Sequence, residues 1–449
     1  MIDHEALLAL KDEEDSRFVA ARPKTMELWE RGKKVMPNGV PMSWLRGSYH
    51  HPPMFVDEAK GSHLRDVDGH DYADFNIADM SMFCGYAPEP LVRAVNARME
   101  AGNQFLLPTE DSIWVAEELA RRWKLPKWQF TLSATQANTE VIRISRVATG
   151  RDKVLMFEGK YHGHFNEALV EPGDDGQLVP EEDGLPADVT RSTVLVPWND
   201  VDALERALAT REIAVVLTEP AVSNNIVLLT PEPGFHDALR KLTRDTGTLL
   251  AMDETHTLVT GPGGLVGHWG LDPDFVVAGK SIAGGVPLGT YGMREEIAAL
   301  LEQDKSPEGE RQDMVATGGT LFGNALQMAA ARATLGEVLT DEAYDSTARL
   351  GERLAAGMRE AVSAAGLPWY IHHLYPRAGY TFAQEPPRNA SEADEVENEL
   401  LRRVIRIWLA NRGVWEAIVG AGPVVPVPGT AEDVDAYVAA FGDLLQVLA

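Results

Sequence analysis

Four places in this 449-residue chain put reactive side chains directly behind short apolar runs. TLLAMDE (248–254) ends in Asp253 and Glu254. DFVVAGK (274–280) ends in Lys280, ahead of Ser-Ile-Ala-Gly-Gly. QFTLS (129–133) leads through Ser133 into Ala134 and Thr135 at the start of a helical pattern. AVVLTEP (214–220) ends in Glu219 and a proline. Apolar runs of this length, bounded by Gly, Pro and polar residues, read as buried strands. In parallel sheets ligands bind beyond the carboxyl ends of the strands, which is where these groups fall. Taken singly, each has a plainer explanation: a strand-terminal lysine as a solvated charge, an Asp-Glu pair as a turn or cap.

Together they match the needs of one cofactor, pyridoxal 5′-phosphate (PLP). PLP needs an amine with which to form a Schiff base. It needs a carboxylate to keep its ring nitrogen protonated, so that the ring acts as an electron sink. It also needs a helix N-terminus for its phosphate and an aromatic face to stack on.

The elements that would position these groups alternate along the chain. Helical periods cover LVRAVNARMEAG, SIWVAEELARRW, ANTEVIRISRVATG and PGFHDALRKLTRDTG, the last ending at Gly247. Strand-like KVLMF, STVLVPW, AVVLTEP, TLLAMDE and DFVVAGK fall between and after them. The pattern predicts an α/β fold, a mostly parallel sheet with helices on both faces. RDVDGHDYADF (65–75) predicts a hairpin turning at Asp68-Gly69. The acidic EPGDDGQLVPEEDGLP (171–186) predicts a long loop. Beyond about residue 325 long helices surround a short strand region near 368–384, as in a smaller α+β domain. The expected division is an N-terminal segment, 1–70, packing with the small domain, a large α/β domain, 71–325, and a small C-terminal domain, 326–449.

Composition narrows the function classes. The net charge is −27, from 41 basic and 68 acidic side chains, which argues against a nucleic-acid partner, since binding one needs a basic surface. No apolar run approaches the roughly 18 residues that span a bilayer, and the acidic N-terminus lacks the order of a signal peptide. A single cysteine, Cys84, fits a reducing cytoplasm and reads as a small buried residue. No metal site is expected.

The ordered motifs MPNGV (36–40), DVDGHDYADF (66–75), SATQAN (133–138), YHGH (161–164), PEPGF (231–235), MDETHT (252–257), GKSIAGGVPLGTYG (279–292) and GGTLFGNAL (318–326) carry a resemblance over nearly the whole chain. It resembles the class III aminotransferases, and among them the glutamate-1-semialdehyde aminomutase-like branch. The resemblance implies a fold-type I PLP transferase acting as a homodimer, with active sites at the subunit interface. Lys280 matches the Schiff-base lysine, whose amine also moves the proton between substrate carbon and cofactor. Asp253 matches the partner of the ring nitrogen. Ser133-Ala134-Thr135 matches the Ser-Gly-Thr phosphate loop. Tyr161 matches the stacking aromatic, followed by His162. Thr320 matches the threonine that reaches the phosphate from the neighbouring subunit. Glu219 and Asn224 match residues near the phenolic oxygen.

Three departures stand out. Ala134 replaces the usual glycine, which matters only where φ must be positive. Thr255 and His256 stand where Val and Gln or Met are common; Thr255 can pack its methyl on the ring, and His256 can donate to the phenolic oxygen or to substrate. Around the substrate, Arg46 is displaced by one position from the aminomutase arginine, and Gly420-Ala421-Gly422-Pro423 replaces Glu-Ala-Gly-Phe. Met42, Trp44, Tyr49, Met80, Met82 and Phe83 would border a roomy apolar pocket, and Arg46 and Arg377 are candidates for a substrate carboxylate. The expected function is an aminotransferase passing an amino group from a primary amine or β-amino acid to a keto acid or aldehyde, through pyridoxamine phosphate, with ping-pong kinetics. The alternatives are the semialdehyde aminomutase, forming 5-aminolevulinate, and a non-catalytic PLP-binding protein.

Overall fold

The computed structural model describes residues 3–45, 51–173, 176–186, 188–223, 227–302, 315–417 and 420–449. They form two compact units. The first comprises Met1–Pro88, Glu342–Pro386 and Asp394–Ala449; the second comprises Glu89–Asp341 with Pro387–Ala393. These divisions fall at 88/89 and 341/342 rather than 70/71 and 325/326. The helix Ala325–Ala333, expected to open the C-terminal domain, stays in the second unit. Its alanine-rich surface is buried against the helices Glu89–Glu100 and Glu110–Trp123, where small side chains allow close approach.

The first unit opens with helices His4–Ala21 and Pro23–Gly32, separated at Arg22 by the proline that starts the second. Strands β1 (Val56–Lys60), β2 (His63–Asp66) and β3 (Asp71–Asp74) form an antiparallel meander. Its β2–β3 turn runs through Asp68-Gly69, as the DG pair predicts. Arg22, 2% exposed, ties the helices to this hairpin. Its Nε and Nη2 donate to the Tyr72 hydroxyl at 2.9 and 2.6 Å, and that hydroxyl donates to Asp66 Oδ2 at 2.8 Å.

In the second unit the strands are β4 (Lys127–Thr131), β5 (Lys153–Phe157), β6 (Val170–Pro172), β7 (Leu178–Pro180), β8 (Thr193–Val196), β9 (Ile213–Thr218), β10 (Leu249–Asp253), β11 (Phe275–Ala278) and β12 (Gly289–Met293). Seven of them make one sheet in the order β4-β12-β11-β10-β9-β5-β8. Only β12 runs antiparallel to the rest. No apolar run announces β12, because GTYGM carries two glycines. A Cβ at Gly292 would fall 2.5 Å from the Trp128 ring of β4, so the sheet needs a bare backbone there. The acidic segment expected to be a loop contains β6 and β7, paired as a short antiparallel hairpin through Glu171↔Val179.

Both sheet faces are buried, which is why its strands read as continuous apolar runs. On one face Ala137, Val141 and Ile144 of the helix Ala134–Thr149 pack on Val154, Met156, Val215, Leu217, Ala251 and Val277. On the other, the Phe157 ring lies 5.6 Å from Phe235, in the helix Phe235–Thr246. That helix ends at Gly247 in the left-handed conformation, φ 68°, the predicted C-cap.

The rest of the first unit adds β13 (Tyr370–Leu374) and β14 (Arg377–Thr381) as a hairpin and β15 (Val414–Trp415) alongside β3. Its core gathers Leu354 and Met358, Val404 and Leu409, and Tyr437 and Phe441 from three helices around Tyr380. Among the described residues, no helix is long and apolar enough to cross a membrane, and no cluster of metal-ligating side chains occurs.

Candidate active site

Because β5, β9, β10 and β11 are parallel, their carboxyl ends share one edge of the sheet. The β4 end joins them, since β4 is antiparallel to β12, which is itself antiparallel to β11. That edge collects the predicted residues. Ser133, just past β4, caps the helix Ala134–Thr149, its hydroxyl accepting from Gln136 N at 3.4 Å. Ala134 is the first helical residue and does not have positive φ. Its methyl in place of the family glycine therefore costs no backbone strain. Thr135 follows, partly exposed at the helix N-terminus, where free N–H groups and the helix dipole favour an anion.

The loop after β5 carries Tyr161 and His162. Tyr161 is 40% exposed, whereas His162 is buried. Gly163 lets this loop close on the helix: at φ 111° its missing Cβ would sit 2.2 Å from Thr135 Oγ1. The Lys280 segment approaches from the other side. A Cβ at Gly279 would lie 3.1 Å from the Ala134 Cβ, and one at Gly289 would fall 2.2 Å from the Ser133 carbonyl carbon.

Asp253 ends β10 level with Val277 of β11 and is 3% exposed. Its Oδ2 accepts from Asn138 Nδ2 at 2.8 Å and from His162 Nδ1 at 3.0 Å, and its Oδ1 accepts from Thr255 N at 3.0 Å. Burial pushes the carboxyl pKa up, but the His162, Thr255 and Asn138 donors outweigh it and hold the group below the ordinary aspartate range. It is a buried carboxylate that stays charged.

Its neighbour Glu254 has the opposite assignment. Fully buried, it accepts from Thr257 Oγ1, from Val266 N at 2.6 Å and from Leu265 N at 3.2 Å. It thereby satisfies the first amides of the helix Gly264–Trp269, and desolvation pushes its pKa up to about 7. The Asp-Glu pair is thus one cap and one site carboxylate.

Lys280 follows β11 and opens a short 3-10 turn, Lys280–Ala283, with φ 49°. For a residue with a Cβ this left-handed conformation costs about 1–2 kcal/mol, and such outliers cluster at functional sites. Glu219 lies one residue beyond Thr218, which is level with Met252, so it flanks Asp253 along the edge. Its Oε2 accepts from Ser223 Oγ at 2.8 Å and from Ser223 N at 3.2 Å, closing a turn. His256 is 2% exposed and precedes the turn Thr257–Thr260.

The remaining predicted residues are not brought to this cluster within the second unit. Thr320 is exposed, and its carbonyl accepts from Gln104 Nε2 at 2.6 Å. Trp44, Met82 and Arg377 belong to the first unit. Trp44 is 48% exposed. Arg377 is buried, and its Nε donates to Gly422 O at 3.3 Å beneath the Gly420–Pro423 loop. Arg46, Tyr49 and Asn224 lie outside the described residues.

Met80 and Phe83, expected to border an apolar pocket, are core residues instead, 2% and 0% exposed, with the Phe83 ring 5.7 Å from Tyr344. A left-handed turn buries them: Ile77, Ala78, Asp79 and Met80 have φ of 44, 49, 52 and 63°. Asp74 anchors the turn by accepting from Asn76 N and Ile77 N, each at 2.8 Å. Nothing in the periodicity of NIADMSMF announces a run of four non-glycine residues in that region.

Residue by residue the edge suits PLP: an amine at Lys280, a charged buried carboxylate at Asp253, a helix N-terminus at Ser133–Thr135 and an aromatic at Tyr161. The sequence reading missed Asn138. Its signal was a polar residue beside the apolar Ala137, Val141 and Ile142 in the helical pattern.

Comparison with known proteins agrees. The family described as Aminotransferase class-III matches residues 45–421. The chain belongs to the class-III aminotransferase family. It is a PLP-dependent enzyme of fold-type I, which sets aside the non-catalytic alternative. A glutamate-1-semialdehyde 2,1-aminomutase of Anaeromyxobacter sp. (strain Fw109-5) is 36% identical over 376 residues, 82% of this chain and 85% of that one. The crystal structure of a glutamate-1-semialdehyde-aminomutase from Pseudomonas aeruginosa PAO1 has 38% identity and a TM-score of 0.95, covering 100% of both chains. A Lys-to-Ala variant of the Pseudomonas protein has been solved in complex with PMP. An omega-transaminase from Sphaerobacter thermophilus has 30% identity and a TM-score of 0.86, covering 94% of this chain and 97% of that one.

Proposed function

We propose that this class-III enzyme is an aminotransferase that takes an amino group from a primary amine or β-amino acid and delivers it to a keto acid or aldehyde in a second half-reaction, with ping-pong kinetics. PLP supplies the electron sink when bound. Lys280 holds the cofactor covalently, and its amine carries the proton to and from the substrate carbon. Asp253, kept charged by His162, Thr255 and Asn138, keeps a proton on the ring nitrogen. Ser133, the Ala134 N–H and Thr135 take the phosphate, and Tyr161 stacks on the ring. Glu219, Asn224, Thr255 and His256 would serve the phenolic-oxygen side. The substrate residues of this proposal are Trp44 and Met82, with Arg46 and Arg377 as candidates for a carboxylate, which the planar guanidinium fork suits. We place the enzyme in the cytoplasm.

The observation that carries this reading is the loop Gly420-Ala421-Gly422-Pro423. It has no side-chain carboxylate where the aminomutase pattern has Glu-Ala-Gly-Phe, while the cofactor shell is retained. The second reading, glutamate-1-semialdehyde 2,1-aminomutase, is favoured by the names of the relatives at 36 and 38% identity. The two part on the need for an acceptor. Purified enzyme given the semialdehyde alone is expected to form no 5-aminolevulinate, and a panel of amines with pyruvate is expected to yield alanine. Steady 5-aminolevulinate formation without acceptor would reverse the assignment.

The active unit is a homodimer in this reading, with Thr320 of each copy serving the other's phosphate. Support comes from a surface that is unusually apolar for one meant to face water. Leu106 is 72% exposed, Leu107 70%, Ile113 61% and Leu321 49%, and Gln104 ties this surface to Thr320. Light scattering is expected to give twice the mass of one chain. Leu106→Glu combined with Leu107→Glu is expected to yield monomers that bind PLP at least tenfold more weakly, because each phosphate loses its Thr320 contact. A monomeric wild type with full activity would contradict the shared site.

A further inference from the structure

We propose that Asn138 is a positioning residue for the cofactor ring, and that one side-chain amide sets the spacing of three parts of the cofactor shell. The proposal rests on the assignment of Asp253 to the ring nitrogen.

Asn138 lies one turn into the helix Ala134–Thr149 and is 0% exposed. Both hydrogens of its amide nitrogen are used. One goes to the carbonyl oxygen of His162 and the other to Asp253 Oδ2, each at 2.8 Å. Both partners are acceptors, so the orientation of the amide is dictated by chemistry: its oxygen cannot face either of them. The donor side joins the helix whose N-terminus takes the phosphate, the loop that presents Tyr161 to the ring, and the strand that ends in Asp253. His162 Nδ1 reaches the same Oδ2 at 3.0 Å, so Asn138 holds both the carboxylate and the loop whose histidine braces it. With Thr255 N on Oδ1, the carboxylate has no freedom to rotate.

Fold stability alone does not account for this residue. Asn138 Oδ1 is buried with no hydrogen-bond partner among the described residues, so the residue carries an unsatisfied acceptor for the sake of the two bonds that its nitrogen donates. A buried side chain that leaves one polar atom unsatisfied while it joins three parts of a site is the pattern expected where positioning takes precedence over stability. Asn138 does not itself touch the reacting atoms in this scheme. It acts through Asp253, His162 and the Tyr161 loop.

The test compares wild-type holoenzyme with Asn138→Leu, which keeps the branched shape and removes both donors, and with Asp253→Ala as the reference for losing the carboxylate. Four quantities are measured: the dissociation constant for PLP, the visible circular dichroism per bound cofactor, which reports how rigidly the ring is held, the far-ultraviolet spectrum and the thermal midpoint. Asn138→Leu is expected to bind PLP at least tenfold more weakly and to show reduced visible dichroism even at saturating PLP, with the far-ultraviolet spectrum of the PLP-free protein unchanged and its thermal midpoint lowered, because two buried acceptors lose a donor. Wild-type affinity and dichroism in Asn138→Leu, with Asp253→Ala impaired in both, would overturn the role of Asn138 alone. Wild-type values in Asp253→Ala would overturn the assignment of the aspartate and this proposal with it. If Asn138→Leu does not fold, Asn138→Ser, which retains one donor, is expected to lie between wild type and Asp253→Ala; a wild-type result there overturns the proposal.

Discussion

Lys280→Ala is expected to abolish covalent attachment of PLP and to lower transamination by about 10²–10⁴-fold or more, the range for removing a positioned proton-transfer group. Borohydride treatment of the wild type should fix the cofactor on the peptide containing residue 280, as read by mass spectrometry, and should fix nothing in the variant. A general loss of structure would not explain the result. Lys280 has φ 49°, and alanine keeps the Cβ that makes this conformation costly, so Lys280→Ala leaves the backbone strain as it was. Lys280→Gly removes that strain. The PLP-free Lys280→Gly protein is therefore expected to be more stable than the PLP-free Lys280→Ala protein by about 1 kcal/mol, measured by urea unfolding, although both are inactive. Covalent cofactor in Lys280→Ala would move the anchoring role to another amine.

Asp253→Asn is expected to cost a similar 10²–10⁴-fold in rate, with PLP still bound through Lys280 and the helix N-terminus. The substitution removes the charge that holds a proton on the ring nitrogen. It also places a side chain with one acceptor among three donors, from Asn138, His162 and Thr255. The pH dependence follows from the direction of the shift. The Asp253 carboxyl sits below its ordinary range because the donors outweigh the effect of burial. Its ionised form therefore stabilises the fold fully above the unfolded-state pKa of about 3.9, and that contribution is lost as the pH falls through the depressed native value. Wild-type protein should lose stability more steeply than Asp253→Asn when the pH is lowered from about 5 towards 3, and the two should run parallel at neutral pH. An Asp253→Asn enzyme with wild-type turnover would remove the aspartate from the mechanism.

The neighbouring carboxylates show how far local reading reaches. In MDETHT, Asp253 and Glu254 both stand at the end of an apolar strand, and alternation sends adjacent side chains of a strand in opposite directions. Which one faces the ligand edge depends on what each side meets. Glu254 meets the amides of Leu265 and Val266, and Asp253 meets Asn138 and His162. The resemblance picked the aspartate; the packing gives the physical reason. Ala134 is a similar case. The missing glycine looked like a departure, and the helical backbone there explains why it is tolerated.

Side-chain chemistry and short-range periodicity are properties of a few consecutive residues, so they were legible in the sequence. An amine at 280, a carboxylate at 253, a capped helix start at 133–135 and strands ending at each were all readable in that way. The ordered motifs then named the family and the cofactor. Tertiary structure decided what depends on residues far apart in the chain. The strand order β4-β12-β11-β10-β9-β5-β8 is not chain order, so no local pattern shows that Gly163 must abut Thr135, or that Asn138 bonds Asp253 across 115 positions. The same holds for β12, whose glycines look like a loop until Trp128 and Ser133 press against them, and for Met80 and Phe83, which a left-handed turn sends into the core. Composition and period follow from the residue itself and its nearest neighbours along the chain, whereas close approach, capping and burial follow from whatever the fold brings against it.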